Sequence, residues 1–397
     1  MRGHPVILQK PPHIGKQLIT MEVSNALSAV RQAVKEATQG LVERETIVDL
    51  ILLSAVAREH LLIIGPPGTA KSAAVRRIAQ ALGGRYFEYL LGRFTEPSEI
   101  FGPVDIRKLS EGVVETATDG MLPEAEIAFL DEVFLGSTAI LNTLLGVLNE
   151  RRFKRGHTQI DCPLRICVAA SNHLPEDETL AAFADRFLVH CFVEPVADAQ
   201  LEELLRQGWW AATHPPIKSC EIKLLDTLAD QARQADMSRV QPMLAKCVRL
   251  LRKEGIQLSD RRVVKAQGLI SAAATLAGRN QPTEADLWPL LYAVPTRENQ
   301  ESAREILSDA LRHCENDALS AAAEAAANSP ASRAARLAES AETLLQEAPS
   351  DERRSRLEAL GREIDAGFAP DALPDRLIAL RQRLQDALTQ HEAPQAE

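Results

Sequence analysis

The stretch Leu61–Ser72 reads LLIIGPPGTAKS. Leu61 to Ile64 is an uninterrupted apolar run, a Gly/Pro turn follows, and Lys71-Ser72 opens an Ala-rich, helix-favouring segment. This order predicts a strand, a phosphate loop and a helix. The eight residues Gly65, Pro66, Pro67, Gly68, Thr69, Ala70, Lys71 and Ser72 read as the loop pattern GxxxxGK[ST]. Gly65 and Gly68 let the backbone take conformations closed to residues with a Cβ, so successive N–H groups can turn around phosphates. Lys71 is placed to reach the β- and γ-phosphates, the Ser72 hydroxyl to ligate Mg²⁺, and the helix N-terminus to add its positive end. ATP and Mg²⁺ are therefore the expected cofactors.

Composition bounds the rest. A chain of 397 residues, 45% hydrophobic and 25% charged, is long enough for two or three domains. Its formal net charge of -10 and pI near 5.5 give no general attraction to nucleic acid or anionic membrane, so nucleic acid is not the expected partner. The six cysteines (Cys162, Cys167, Cys191, Cys220, Cys247, Cys314) lack paired metal-ligand spacing and read as buried free thiols of a reducing compartment. Asp49, Arg58, Glu59 and His60 interrupt the longest apolar candidate for a membrane span, and the N-terminus has no signal-peptide h-region. No membrane insertion is expected, and the cytoplasm follows by default.

Met1 to Thr20 carries Pro5, Pro11, Pro12 and Gly15 without clear periodicity and reads as a flexible leader. From Val23 to Ala57 apolar positions recur at helical spacing, with a Gln39-Gly40 break between two helices. After the loop helix, Gly83-Gly84 stops the chain and Arg85 to Leu91 reads as a second strand. The segment Val104 to Thr118, with Glu111-Gly112 at its centre, fits a β-hairpin and a surface loop equally.

At Glu126 to Glu132 the chain reads EIAFLDE, an apolar strand ending in two carboxylates. Asp131 is placed to hold Mg²⁺, and Glu132 to orient and polarise the water that attacks a γ-phosphate. Such a pair often marks only a solvated strand end; its position after the phosphate loop favours catalysis. Ser137 to Asn149 is an amphipathic helix, Phe153 to Ile160 resembles a second hairpin, and the strand Leu164 to Ala170 ends in Ser171-Asn172. Asn172 can hold the attacking water, although alone it reads as a turn residue. Arg186, in FADRFLVH, and Arg261, in LSDRRVVKA, read locally as solvated charges. Trp288 reads as core, and Trp209 and Trp210 as packing in a connector.

Together, GPPGTAKS, FLDE, the Asn-tipped strand, the DRF arginine and the SDRR arginine, with two hairpin inserts between them, resemble the MoxR family of AAA+ ATPases. The segments RFTEPSEIFGP and LNERRFKRG are closer to its RavA branch than to its generic members. The resemblance implies an α/β fold: a P-loop NTPase core with a parallel sheet sandwiched by helices, followed by an all-α lid. The expected division is a leader over 1–22, the core over 23–215, the lid over 216–310 and a helical C-terminal extension over 311–397. The resemblance makes Asn172 sensor 1, Arg186 an arginine finger for the neighbouring subunit, and Arg261 sensor 2 on the lid, carried toward nucleotide. Arg262 leaves that last assignment open by one residue, and Asp260 stands where some relatives carry Pro. The resemblance also implies a hexameric ring and a von Willebrand factor A domain partner.

The terminal part reads as two amphipathic helices, Arg353 to Asp365 and Arg376 to Gln390, packed on each other or serving as a docking arm, with a disordered tail beyond Thr389. Three functions fit: a ring-forming remodelling chaperone, a nucleotide-gated scaffold with little turnover, and the motor subunit of a metal-chelatase-like complex.

Overall fold

Period-two burial on both faces of short strands builds the centre of the molecule. Leu61 and Ile63, Ile127 and Phe129, and Ile166 and Val168 point into one apolar cluster. Leu62 and Ile64, Ala128 and Leu130, and Cys167 and Ala169 point into a second. Strands buried on both faces read as continuous apolar runs and require helices above and below the sheet.

The computed structural model describes residues 12–196, 200–327, 337–338, 341–342, 344–346, 351–367 and 375–390. Through the core its elements are α1 (Pro12–Thr38), α2 (Glu45–Ala57), β1 (Leu61–Ile64), α3 (Lys71–Leu82), β2 (Tyr86–Leu90), α4 (Pro97–Phe101), α5 (Ile106–Ser110) and β3 (Ile127–Asp131). There follow α6 (Thr138–Leu145), β4 (Arg152–Arg155), β5 (Thr158–Asp161), β6 (Ile166–Ser171), α7 (Glu178–Ala184) and β7 (Val189–Phe192). The main sheet has the order β2-β3-β6-β1-β7, and all its pairings are parallel. Helices α8 (Leu201–Thr213), α9 (Leu224–Arg233), α10 (Gln241–Lys253), α11 (Asp260–Leu276), α12 (Pro289–Tyr292), α13 (Arg297–Ile306), α14 (Ser308–Leu311) and α15 (Ser320–Ala327) complete the main body. This is the expected parallel sheet between helices, followed by an all-helical part.

Helix α2 is buried from Ile47 to Val56, as an apolar run without a polar face must be. It packs against α3 and the sheet on one side and against α9, α11 and α15 on the other. Core and helical part therefore share one apolar cluster.

Helix α1 starts at Pro12, so 12–22 is not the irregular leader read from its prolines and glycine; Pro12 occupies the first helical position, where its missing N–H costs nothing. Residues 1–11 lie outside the described residues. The first insert is not a regular hairpin: a single antiparallel bridge joins Val104 to Thr116. The Asp105 carboxylate accepts from the Arg107 N–H at 2.9 Å and caps α5 in between, so local capping displaces strand pairing. The second insert is the expected hairpin, β4 paired antiparallel with β5, and His157 N–H donates to Val114 O at 2.9 Å to tie the two inserts together. Trp209 does not pack, being 79% exposed, whereas Trp210 stacks on His214 with centroids 4.6 Å apart.

At the C-terminal end the apolar stripes of Asp351–Gly367 and Asp375–Gln390 close on each other. Leu357, Leu360 and Ile364 are buried with Leu377, Leu380 and Leu384 in one cluster, so these stripes are not an open docking surface. The tail from 391 lies outside the described residues. Trp288 is fully buried, and all six cysteines are buried and free.

Asp49 of α2 ties α15 to the core. The residue is 3% exposed, and its carboxylate accepts from the Ala322 N–H at 3.0 Å, near the start of α15. Burial pushes its pKa up to about 7, opposed by backbone N–H donors of Ala322 and Ala321 and assisted by Glu45. An acid whose folded pKa lies above its unfolded value favours folding at low pH and loses that contribution as pH rises toward the folded pKa. Urea melts of wild type and Asp49→Asn at pH 5 and pH 8 should therefore diverge, the wild type losing about 2 kcal/mol relative to the variant over that range. A constant difference between the two would contradict the burial of a titrating Asp49.

Candidate functional site

The phosphate loop starts where β1 ends, and its first residue stays in register with the sheet: Gly65 N–H donates to Ser171 O at 3.1 Å. A Cβ on Gly65 would lie 2.4 Å from the Val193 carbonyl oxygen, so only glycine fits there. Gly68 turns the chain at φ +80°. Reading the loop as GxxxxGK[ST] passed over a departure: the pattern's second glycine is Ala70 here, held in the left-handed region at φ 58°, ψ 24°. Arg44, in the linker between α1 and α2, donates from Nε to Thr69 O at 2.7 Å, directly behind that residue.

Lys71 is 7% exposed, and its ammonium donates to Gly65 O at 2.7 Å and Pro66 O at 3.0 Å. Burial lowers its pKa, while Asp131 and Glu132 pull it back up. No ion pair to Lys71 is found among the described residues, so a buried cation faces the loop with carbonyls as its partners. That environment suits a phosphate oxygen.

β3 and β6 bring the other groups to the same edge of the sheet. Asp131 ends β3, and its Oδ1 accepts from the Glu132 N–H at 3.0 Å. Glu132 takes a left-handed turn at φ 50°, which swings its side chain out of strand register. The Asn172 side-chain amide, just past β6, donates to Glu132 Oε1 at 2.7 Å. This contact joins Asn172 to the acidic pair, which a turn residue alone would not do. Ser72 and Asp131 are the oxygen donors that would hold Mg²⁺, a hard cation matched to hydroxyl and carboxylate ligands.

Beside the loop lies a cavity of about 690 Å³, the size of a small-molecule pocket. Leu41 and Val42 from the α1–α2 linker, Pro195 after β7, and Leu204 and Ala211 of α8 give it apolar walls, and Thr69 and Ala70 form one end. Sequence reading named Thr69 and Ala70 but missed the apolar walls, because these meet from segments far apart in the chain and carry no ionisable signal.

The two arginines lie elsewhere. Arg186 sits between α7 and β7, at the end of the sheet where strands begin, and its Nε is buried without a partner among the described residues. Arg261 opens α11 and donates to Asn149 Oδ1 at 2.8 Å, its other terminal nitrogen buried and unpaired among the described residues. Its pKa is lowered, first by burial and then by the charge of Arg186. Lys265, one turn further along α11, bonds Glu59 at 2.5 Å just before β1, which sets this end of α11 at the edge where strands begin. Arg261 is thus not carried toward its own phosphate loop: the length of β1, about 13 Å, separates the two edges.

Arg262 is 2% exposed and fully engaged. It pairs with Asp185 at 2.6 Å and donates to the carbonyls of Leu188 (3.0 Å), Ala293 (2.8 Å) and Phe187 (3.1 Å). Of the two neighbours, Arg261 is the one with donors to spare.

A five-stranded parallel sheet, a phosphate loop after its β1, an acidic pair at the end of β3 with β6 between the two strands, and a helical lid define an AAA+ P-loop ATPase fold. The family model for the MoxR domain of MoxR-vWA-beta-propeller ternary systems matches residues 28–231, and that for an AAA lid domain matches residues 239–307. The chain belongs to the MoxR family. An uncharacterized protein of Methanocaldococcus jannaschii is 37% identical over 254 residues, 64% of this chain and 68% of that protein. The chaperone MoxR1 of Mycobacterium tuberculosis is 26% identical over 184 residues, 45% of this chain and 48% of its own length. A crystal structure of a candidate ATPase from Cytophaga hutchinsonii superposes with a TM-score of 0.61 at 15% identity, covering 76% of this chain and 99% of that one; it bears on the fold alone.

The different burial of the adjacent arginines has a measurable consequence. Arg262→Ala would strand a half-buried Asp185 and three carbonyls, and should lower stability by about 2–4 kcal/mol in urea. Arg261→Ala should cost less than about 1 kcal/mol. Equal losses would mean that the two side chains are not divided in this way.

Proposed function

We propose that this chain hydrolyses ATP at seams between copies of itself and uses the turnover to remodel a partner protein. The observation that carries the reading is the split between the two ends of the sheet. One end gathers Lys71, Asp131, Glu132 and Asn172, and the other gathers Arg186 and Arg261 with unpaired donors. A head-to-tail contact that sets the second end of one copy over the first end of the next would complete each site, and such heterologous contacts close into rings. A hexamer is the ring size implied by the family resemblance.

In this reading the apolar cavity receives the adenosine, and the Gly65–Ser72 loop with Lys71 receives the phosphates. Mg²⁺, held by Ser72 and Asp131, would supply positive charge at the β- and γ-phosphate oxygens. The Glu132 carboxylate orients the attacking water and accepts its proton once the Asn172 amide turns from Glu132 to the γ-phosphate. Arg186 and Arg261 of the neighbour neutralise charge that develops on the transferred group. Hydrogen-bond donors placed in advance at that position act mainly on the transition state.

The matched family model supports a von Willebrand factor A domain protein, and a β-propeller protein, as the partners. Nearness to the RavA branch rests on RFTEPSEIFGP and LNERRFKRG alone. The core over 23–215 and lid over 216–310 are likewise our division, and the matched ranges support two units with 216–231 on the core side. Six buried free thiols favour a cytoplasmic setting. Among the described residues no helix is long and apolar enough to cross a membrane.

Complementation tests the seam. Glu132→Gln and Arg186→Ala should each bind ATP, and each should lose about 10³-fold or more in turnover. Mixed in equal amounts, they should regain activity, since about a quarter of randomly assorted seams then pair an intact Glu132 with an intact Arg186. A mixture as inactive as its components would exclude a shared site. A partner-dependent function that survives Glu132→Gln in the ATP-bound form would instead favour the nucleotide-gated scaffold.

A further inference from the structure

Arg44 is 4% exposed, and no ion pair to a carboxylate is found for it among the described residues. All three of its donor directions end on backbone: Nε on Thr69 O, one terminal nitrogen on Glu194 O and the other on Glu43 O, each at 2.7 Å. Burial lowers its pKa, with Glu43 and Glu45 as the nearest carboxylates acting the other way. A desolvated guanidinium spent entirely on carbonyls is an expensive way to fill space, and one of those carbonyls belongs to the phosphate loop.

The Thr69 carbonyl and the Ala70 N–H share one planar trans peptide, so a donor that fixes the carbonyl on one side turns the N–H to the other. Ala70 follows in the left-handed region, at the position where the loop pattern carries glycine. A residue with a Cβ resists that conformation, and glycine does not. The second anchor, Glu194 O, follows β7 two residues on, so the loop is braced against the sheet itself.

The geometry points to Arg44 as the positioning residue of the phosphate loop. It holds the Thr69–Ala70 peptide in a turn that glycine would adopt unaided, and so arrays the Ala70, Lys71 and Ser72 N–H groups for phosphate before nucleotide arrives. The role rests on reading Gly65–Ser72 as a nucleotide site. Arg44 touches neither the reacting atoms nor the metal; it acts through the loop.

A double-mutant cycle on the full chain tests it, read as the Kd of a fluorescent ADP analogue with Mg²⁺. Ala70→Gly alone gives the reference Kd of the cycle, and with Arg44 present the turn is already held, so the added glycine should bring no large tightening. Arg44→Met should weaken binding about five- to thirtyfold, the equilibrium factor of one left-handed residue released to relax. Adding Ala70→Gly to Arg44→Met should return the Kd to within about threefold of wild type, a rescue that lost packing would not give.

The proposal is overturned if Arg44→Met binds like wild type, if the double variant stays as weak as Arg44→Met, or if Ala70→Gly alone tightens binding tenfold or more. That last comparison decides the matter by itself should Arg44→Met fail to fold by circular dichroism. Wild-type protein that binds no ADP at all would overturn the nucleotide reading itself, and the role of Arg44 with it.

Discussion

All five strands of the main sheet run the same way, and that one constraint gives the molecule two chemically different ends. In a parallel sheet every strand finishes at the same edge, so loops that follow strands meet there and segments that precede strands meet opposite. The phosphate loop, Asp131, Glu132 and Asn172 all follow strands. Arg186 precedes β7, and the start of α11, which carries Arg261, is tied to the segment preceding β1 by the Lys265–Glu59 bond. No side-chain rotation spans the distance between the two edges, which is the ground for proposing that a second copy completes the site.

Buried charge sets how the parts are joined. Arg262 draws Asp185 and three carbonyls around itself at the start of β7, so the helical part cannot leave the core without exposing unpaired groups. Asp49 reaches from α2 to the first turn of α15 in surroundings that resist its ionised form. Arg44 does the same between the phosphate loop and the end of β7. In each case one desolvated polar side chain spans two elements that are distant in sequence. Such bridges specify a single arrangement more sharply than the surrounding apolar contacts, which tolerate small displacements.

Much of the site was legible because its groups are local to strand ends. Short apolar runs followed by GPPGTAKS, by Asp131-Glu132 and by Ser171-Asn172 announce strand, loop and polar tip within a few residues. The cavity walls were not legible: Leu41, Val42, Pro195 and Leu204 are ordinary apolar residues until the sheet brings their segments together. The first insert was half legible, since Glu111-Gly112 does mark a turn, but Asp105 capping α5 outweighs strand pairing on either side of it. Pro12 misled in the other direction, being read as a breaker where it starts a helix.

The sequence alone settled the order of the main-sheet strands, the position of the loop after β1, the acidic pair at the end of β3 and the burial of all six cysteines, because each depends on neighbours within a turn or a strand. It could not separate Arg261 from Arg262, or say which end of the sheet either would reach. Adjacent residues at the start of a helix point in directions about 100° apart. Only packing of α11 against α2 and the Phe187–Leu188 segment that leads into β7 decided which guanidinium was buried among carbonyls and which kept free donors.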